Sequence, residues 1–249
     1  MQRYFVDGVF NEQNELIITG ESARHISKVM RMEVGDHIVA VVSQIAYICE
    51  IISISIDQEV SVKQTGNTIP SPELPIQVDI ACGLPKGDKL EFIAQKATEL
   101  GMHALIPYKA ERSIVKWDDK KSEKKTERLQ KIALEAAEQS HRTYVPEIFN
   151  PLSFKQLLSL MEKYDAVFIA DEEDAKSEMR TRFADKLKKV YDNELKSILM
   201  IFGPEGGISR DEADSFLKAG AETMSLGPRI LRAETAPLYA LSAISYEFE

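Results

Sequence analysis

An apolar run, Ser197-Ile198-Leu199-Met200-Ile201-Phe202, stops at Gly203-Pro204-Glu205-Gly206-Gly207, and a helix start follows at once. Ser209 with Glu212 three residues on is a capping box, so the loop ends where the partial positive charge of a helix N-terminus begins. Strand, glycine loop and capped helix together form a cradle in which main-chain N–H groups can approach a ligand that any Cβ would hold off. The same residues also suit a tight strand-to-helix turn with no ligand, and the loop alone leaves both readings open.

That unit sits in a longer alternation. From residue 76 onward strand-like runs (76–82, 104–108, 166–170, 197–202, 222–225) alternate with helical ones. Asp88 with Glu91 predicts a capped helix that places Leu90, Ile93, Ala94, Ala97 and Leu100 on one side and stops at Gly101. A helix follows over 122–139, and Ser153 with Gln156 marks another capped start. Asp171-Glu172-Glu173-Asp174 opens a loop and a charged helix. Alternation of this kind predicts a mostly parallel sheet covered by helices, with ligands bound beyond the carboxyl ends of the strands. Ala170, Gly203 and Gly227 lie at such ends.

The first third reads differently. Short β-branched runs at 16–18, 37–42, 47–54 and 59–62 suggest a small barrel, interrupted by one helical stretch over 21–30. Residues 65–75 hold three prolines and a glycine and read as the linker. The expected organisation is a small β domain over 1–70 and an α/β domain over 71–249.

A second segment adds chemistry to the cradle. Leu226-Gly227-Pro228-Arg229-Ile230-Leu231-Arg232-Ala233-Glu234-Thr235-Ala236-Pro237 sets two arginines, a carboxylate and a hydroxyl at the head of the last helix, with Thr235 or Ala236 near its cap and Pro237 in its first turn.

Composition excludes some classes. The 249 residues carry a formal net charge of -9, which argues against nonspecific coating of nucleic acid. Between Lys109 and Lys131, however, nine basic residues face five acidic ones, and Arg3, Arg24, Lys28 and Arg31 form a second basic cluster. These patches suit an RNA partner or a solvated face. Cys49 and Cys82 lie in strand-like runs without metal-ligand spacing and are expected as buried free thiols; the four histidines are scattered, so no metal is expected. No run is long enough to span a bilayer and the N-terminus lacks a signal-peptide core, which makes the cytoplasm the expected location and no membrane partner expected. A nucleotide-binding ATPase is disfavoured because no Lys-Ser/Thr follows the glycines.

Five further blocks carry a family resemblance: His25-Ile26-Ser27-Lys28-Val29-Met30-Arg31 with Gly35-Asp36; Leu84-Pro85-Lys86-Gly87-Asp88-Lys89; Lys96-Ala97-Thr98-Glu99-Leu100-Gly101; Glu111-Arg112-Ser113; and Ala137-Glu138-Gln139-Ser140-His141-Arg142 before Pro146. With the two glycine-containing segments, in this order, the chain resembles the RsmE family, knotted methyltransferases of the SPOUT class that modify N3 of a uridine in 16S ribosomal RNA. Met30 stands where that family commonly has leucine, and the turn at Ser43-Gln44-Ile45 lacks the family's glycines.

The resemblance implies a PUA-like β-barrel, an α/β domain with a deep trefoil knot, S-adenosyl-L-methionine as methyl donor, 16S rRNA in the small ribosomal subunit as partner, and a homodimer whose sites are completed by the partner copy. It implies Arg232 as the cation that steadies a uracil anion, with Glu234 or Thr235 orienting it or taking the proton; pairing of Arg232 with Glu234 across a turn, and capping by Thr235, are the structural alternatives. The donor is expected against Ala170, Gly203, Glu205, Gly206, Gly207, Leu226, Gly227, Ile230, Leu231 and Ala236, with Glu205 either facing the ligand or bracing the loop. Arg24, Lys28, Arg31, Lys86, Arg112 and Arg142 are expected to touch RNA, the first three as one helical face. A knotted methyltransferase acting on ribose 2′-OH or transfer RNA, and a non-catalytic ribosome-assembly factor, are the alternatives.

Overall fold

The computed structural model describes residues 1–56, 59–171 and 182–249. The chain forms two compact units, one of Met1–Glu73 with Ala137–Tyr144, the other of Leu74–Ala136 with Val145–Glu249.

The first unit is a five-stranded sheet of β1 (Arg3–Phe5), β2 (Glu15–Ile18), β3 (His37–Val42), β4 (Ile45–Ile54) and β5 (Val60–Ile69), in the order β1-β3-β4-β5-β2. Alternating apolar side chains pack Ile38, Ala40, Cys49, Ile51, Val60 and Val62 onto Tyr4, Ile18 and Ile26 in one core. Two register shifts between β4 and β5 curl the sheet, but β1 and β2 remain its edges, so the expected barrel is a half-barrel.

Three local expectations change here. Residues 65–69 belong to β5 rather than to a linker, because Thr68 and Ile69 pair with Tyr47 and Ala46, and Gly66 takes the positive φ that the bend needs. The helical stretch is α1 (Gly20–Arg24) followed by a π-helical turn, His25–Val29. Arg31 lies beyond it with φ of 52°, so Arg24, Lys28 and Arg31 are all exposed but do not share one α-helical face. The turn between β3 and β4 closes without glycine: Val42 pairs with Ile45, and Ser43 and Gln44 adopt φ of 49° and 65°, the two left-handed positions of a type I′ hairpin.

Arg142 also departs from expectation. Its guanidinium is buried, its Nε donates to Glu73 Oε2 at 2.9 Å with a second, shorter bond from Nη2, and its carbonyl accepts from Arg3. Glu73 Oε1 in turn accepts the N–H groups of Thr143 and Tyr144. Arg142 is an internal clamp of this unit, not an RNA contact, because a buried charge is held by its ion pair.

The second unit is built on a parallel sheet of β6 (Gln77–Gly83), β7 (Ala104–Lys109), β8 (Glu147–Ile148), β9 (Leu152–Ser153), β10 (Ala166–Ala170), β11 (Ser197–Phe202) and β12 (Glu222–Met224). The order is β12-β10-β11-β6-β7-β8, with β9 also on β7. Helices cover both faces, which is why β11 is apolar after Ser197. Ile198, Met200 and Phe202 pack toward α2 (Lys89–Glu99), α3 (Asp119–Gln139), α5 (Phe183–Asp192) and α7 (Thr235–Phe248); Leu199 and Ile201 pack toward α4 (Phe154–Met161) and α6 (Arg210–Lys218).

Both Ser–x–x–Glu/Gln starts are complete capping boxes, Ser153 with Gln156 and Ser209 with Glu212. Such a cap contributes about 1 kcal/mol. Asp88 stands at the N-cap of α2 but makes no side-chain cap bond, and Glu91 instead accepts from Arg128 of α3 at 2.8 Å. At α7 the N-cap is Glu234 and Thr235 is the first helical residue. Of the acidic stretch, Glu172, Glu173 and Asp174 lie outside the described residues. Cys49 and Cys82 are buried free thiols, and burial pushes them up to about 11 and about 12. Among the described residues no helix is long and apolar enough to cross a membrane.

Candidate functional site

β11 sits between β6 and β10, and the chain then passes over β10 to reach β12. The carboxyl ends of β10, β11 and β12 therefore meet the N-terminus of α7 around a pocket of about 380 Å³. Its walls are the apolar side chains of Phe202, Met224, Leu226, Ile230 and Leu231 together with main chain from Gly203, Gly207 and Gly227. Ala170, Glu205, Arg232 and Ala236 complete the expected part of the lining. Lys89, Asp171, Pro204, Arg229 and Ala233 also line it.

The glycines act first on the loop itself. A Cβ at Gly203 would stand 2.5 Å from the carbonyl carbon of Gly207, so this residue lets the loop fold onto its own backbone. Gly206 is not a wall of the pocket, contrary to expectation. The space where its Cβ would be faces Arg112, and its carbonyl accepts from Arg112 Nη1 at 2.9 Å. Gly207 and Gly227 have φ of 72° and 99°, conformations that place bare backbone against the cavity. Glu212, buried at the cap of α6, accepts the N–H of Glu111 at 2.9 Å and ties the loop after β7 to the same helix start.

Charge enters from three directions. Glu205 Oε1 accepts from the Lys86 N–H at 3.0 Å and from Lys89 Nζ at 2.8 Å, so this carboxylate braces the glycine loop against the head of α2. Desolvation works to raise the Glu205 carboxyl, but the bonds from Lys89 and Lys86 outweigh it and hold the group below the usual glutamate range. The same bond from Glu205 raises the Lys89 ammonium above the usual lysine range. Lys89 Nζ also lies 3.5 Å from Glu234 Oε2. That oxygen is buried and has no hydrogen-bond partner. Arg232 approaches the other oxygen only to 4.0 Å and keeps its side chain 83% exposed. On the far wall Asp171 pairs with Arg210.

Thr235 is exposed and lines no part of the pocket; its N–H, like that of Ala236, bonds to the Arg232 carbonyl. Lys86 and Arg112 are exposed. Sequence reading missed Lys89 as a site residue, although it ends the Leu84 to Lys89 block, because only the fold brings it to a loop more than a hundred residues away. It also missed Gly83, whose absent side chain leaves room for Pro204.

The pocket can receive a flat, partly polar molecule. Leu226, Gly227, Ile230 and Leu231 line it and can offer main chain and apolar surface to a heterocycle, while Glu234 is not among its lining residues and its buried Oε2 lies beside Lys89.

Comparison with known proteins agrees with this architecture. Residues 72–245 match the model of an RNA methyltransferase domain, and residues 18–63 match that of an RNA methyltransferase PUA domain. Over its full length the chain is 49% identical to ribosomal RNA small subunit methyltransferase E of Bacillus subtilis, covering 98% of that relative. It superposes on the same-named enzyme of Neisseria gonorrhoeae, crystallised with S-adenosyl methionine, with a TM-score of 0.84 at 26% identity, covering 100% of this chain and 98% of that one. A methyltransferase of Legionella pneumophila in complex with SAM gives a TM-score of 0.83 at 28% identity, over 98% of this chain and 97% of that one. The chain belongs to the ribosomal RNA small subunit methyltransferase E family.

Proposed function

We propose that this chain transfers a methyl group from S-adenosyl-L-methionine to N3 of a uridine in the 16S rRNA of the small ribosomal subunit. The observation that carries this reading is the pocket at the ends of β10, β11 and β12, lined by glycine main chain and apolar side chains, with the exposed guanidinium of Arg232 at its wall.

The residues fit the donor. Gly203, Gly207 and Gly227 bring bare backbone to the cavity, Leu226 and Ile230 are placed to cover an adenine, and the volume suits a ligand of that size. When bound there, S-adenosyl-L-methionine supplies an electrophilic methyl on a sulfonium.

Uridine N3 carries a proton at neutral pH, so the protein must accept that proton and stabilise the imide anion left behind. Arg232 is exposed at the pocket wall and brings positive charge to the uracil carbonyls. Glu234, whose Oε1 lies 4.0 Å from Arg232 and whose Oε2 has no hydrogen bond, takes or shares the N3 proton. Thr235 holds the helix head through its N–H bond to the Arg232 carbonyl. The target base has to be splayed out of the RNA to expose N3.

In this reading residues 1–70 are a PUA-like RNA-binding domain, with Arg24, Lys28 and Arg31 on phosphates, and residues 71–249 are the catalytic domain with Lys86 and Arg112 at the RNA. The insertion of β11 between β6 and β10 and the RsmE membership support a trefoil knot, a homodimer and a cytoplasmic location. Methyl transfer from labelled donor to intact small subunits and to naked RNA, followed by nucleoside mass spectrometry, tests the reading. It expects 3-methyluridine, and little turnover by Arg232→Ala with donor binding retained in calorimetry. A 2′-O-methyl product, or no affinity for the donor, would overturn it.

A further inference from the structure

We infer that Lys89 is a positioning residue that links the glycine loop to the head of α7 by holding Glu205 and Glu234 on one ammonium. The inference rests on the reading of Glu234 just given and names the residue on which that role depends.

Lys89 stands in the first turn of α2, on an element that supplies no other wall of the pocket. Its ammonium reaches Glu205, in the loop after β11, and Glu234, at the start of α7, at 2.8 Å and 3.5 Å. Both carboxylates therefore share one cation. The contact with Glu205 is a full charge-assisted hydrogen bond, while 3.5 Å to Glu234 is too long for one. Glu234 Oε2 thus feels a neighbouring positive charge yet keeps its lone pairs for a donor. The charged groups facing Glu234 are Lys89 from α2, Glu205 from the loop and Arg232 from its own segment, and Asp171 on the opposite wall is engaged by Arg210. Replacing Lys89 leaves two carboxylates close together with only the solvent-exposed Arg232 to balance them.

The experiment compares Lys89→Met, Lys89→Arg, Glu234→Gln and the Lys89→Met/Glu234→Gln double variant with the unaltered protein. Small ribosomal subunits and labelled S-adenosyl-L-methionine are the substrates, and kcat and KM are read for each variant. Lys89→Met should lower kcat by about tenfold or more with a smaller change in KM for the subunit. Lys89→Arg should recover most of the rate. The double variant should be no slower than Glu234→Gln alone. Unchanged kcat in Lys89→Met, or losses that multiply in the double variant, would overturn the inference while the proposed activity stands. An unaltered protein that makes no 3-methyluridine would overturn both.

Discussion

A Cβ on Gly83, the last residue of β6, would lie 2.5 Å from Pro204 Cδ and 2.8 Å from the Pro204 nitrogen. The end of the central strand is therefore shaped by the loop that follows its neighbour β11. Pro204 has a fixed ring and cannot swing aside, so even a methyl group must displace the loop backbone. Gly83→Ala should cost about 1–3 kcal/mol of stability and should weaken S-adenosyl-L-methionine binding more than it lowers the melting temperature. Calorimetric titration beside thermal unfolding separates the two effects, and unaltered donor affinity would show that the loop tolerates the shift.

The Glu205–Lys89 contact makes the loop sensitive to acid. The Glu205 carboxyl is depressed in the folded chain, so its contribution is present above the ordinary glutamate range and disappears as pH falls through its lowered folded value. The raised Lys89 ammonium has the opposite sense: its contribution is complete below the ordinary lysine range and is lost only as pH rises through its raised value. Stability from this pair should be flat near neutrality. Glu205→Gln should lower the melting temperature at pH 7 and should have less effect as the pH is taken down through the depressed Glu205 carboxyl. A difference that stays the same across the acid range would remove the ion pair as its cause.

What the sequence disclosed follows from the range of the interactions involved. β10 and β11 were legible because both of their faces are buried, which makes every position apolar but the first of β11, Ser197. The caps at Ser153 and Ser209 were legible because both partners lie within one turn. Asp88 had the same local pattern, yet Glu91 pairs with Arg128 on another helix, and a tertiary partner outcompetes the box. The extension of β5 was hidden because Gly66 and the prolines after it signal a loop, while the pairing that makes residues 68 and 69 a strand comes from β4. The site divided in the same way. Leu226 to Ala236 was visible as a run of chemistry in one segment, whereas Lys89 and Gly83 acquire their roles only from residues far along the chain.

Arg142 shows the same limit for charge. An arginine in a block that carries the family resemblance reads as an RNA contact, but Glu73 binds its guanidinium and two following N–H groups within one buried cluster. Removing one partner leaves the other buried and unpaired. Arg142→Ala should destabilise the unit by about 3–5 kcal/mol, seen as a large drop in the melting temperature, and the protein that stays folded at low temperature should bind RNA with unchanged salt dependence. A weakened salt slope with unchanged stability would return Arg142 to the RNA surface.

The turn between β3 and β4 stores strain that can be removed. Ser43 and Gln44 both hold positive φ, a region that costs an L-residue roughly 1–2 kcal/mol when its side chain gives nothing back. A type I′ hairpin prefers Asn followed by Gly at these two positions, since Asn tolerates the left-handed region and Gly carries no penalty there. The double substitution Ser43→Asn with Gln44→Gly should therefore stabilise the protein by about 1 kcal/mol, measured as a shift of the urea midpoint with an unchanged slope. The flanking pair Val42 and Ile45 keeps the register, so donor binding should not change. A loss of stability would show that Ser43 or Gln44 makes a contact worth more than the strain it bears.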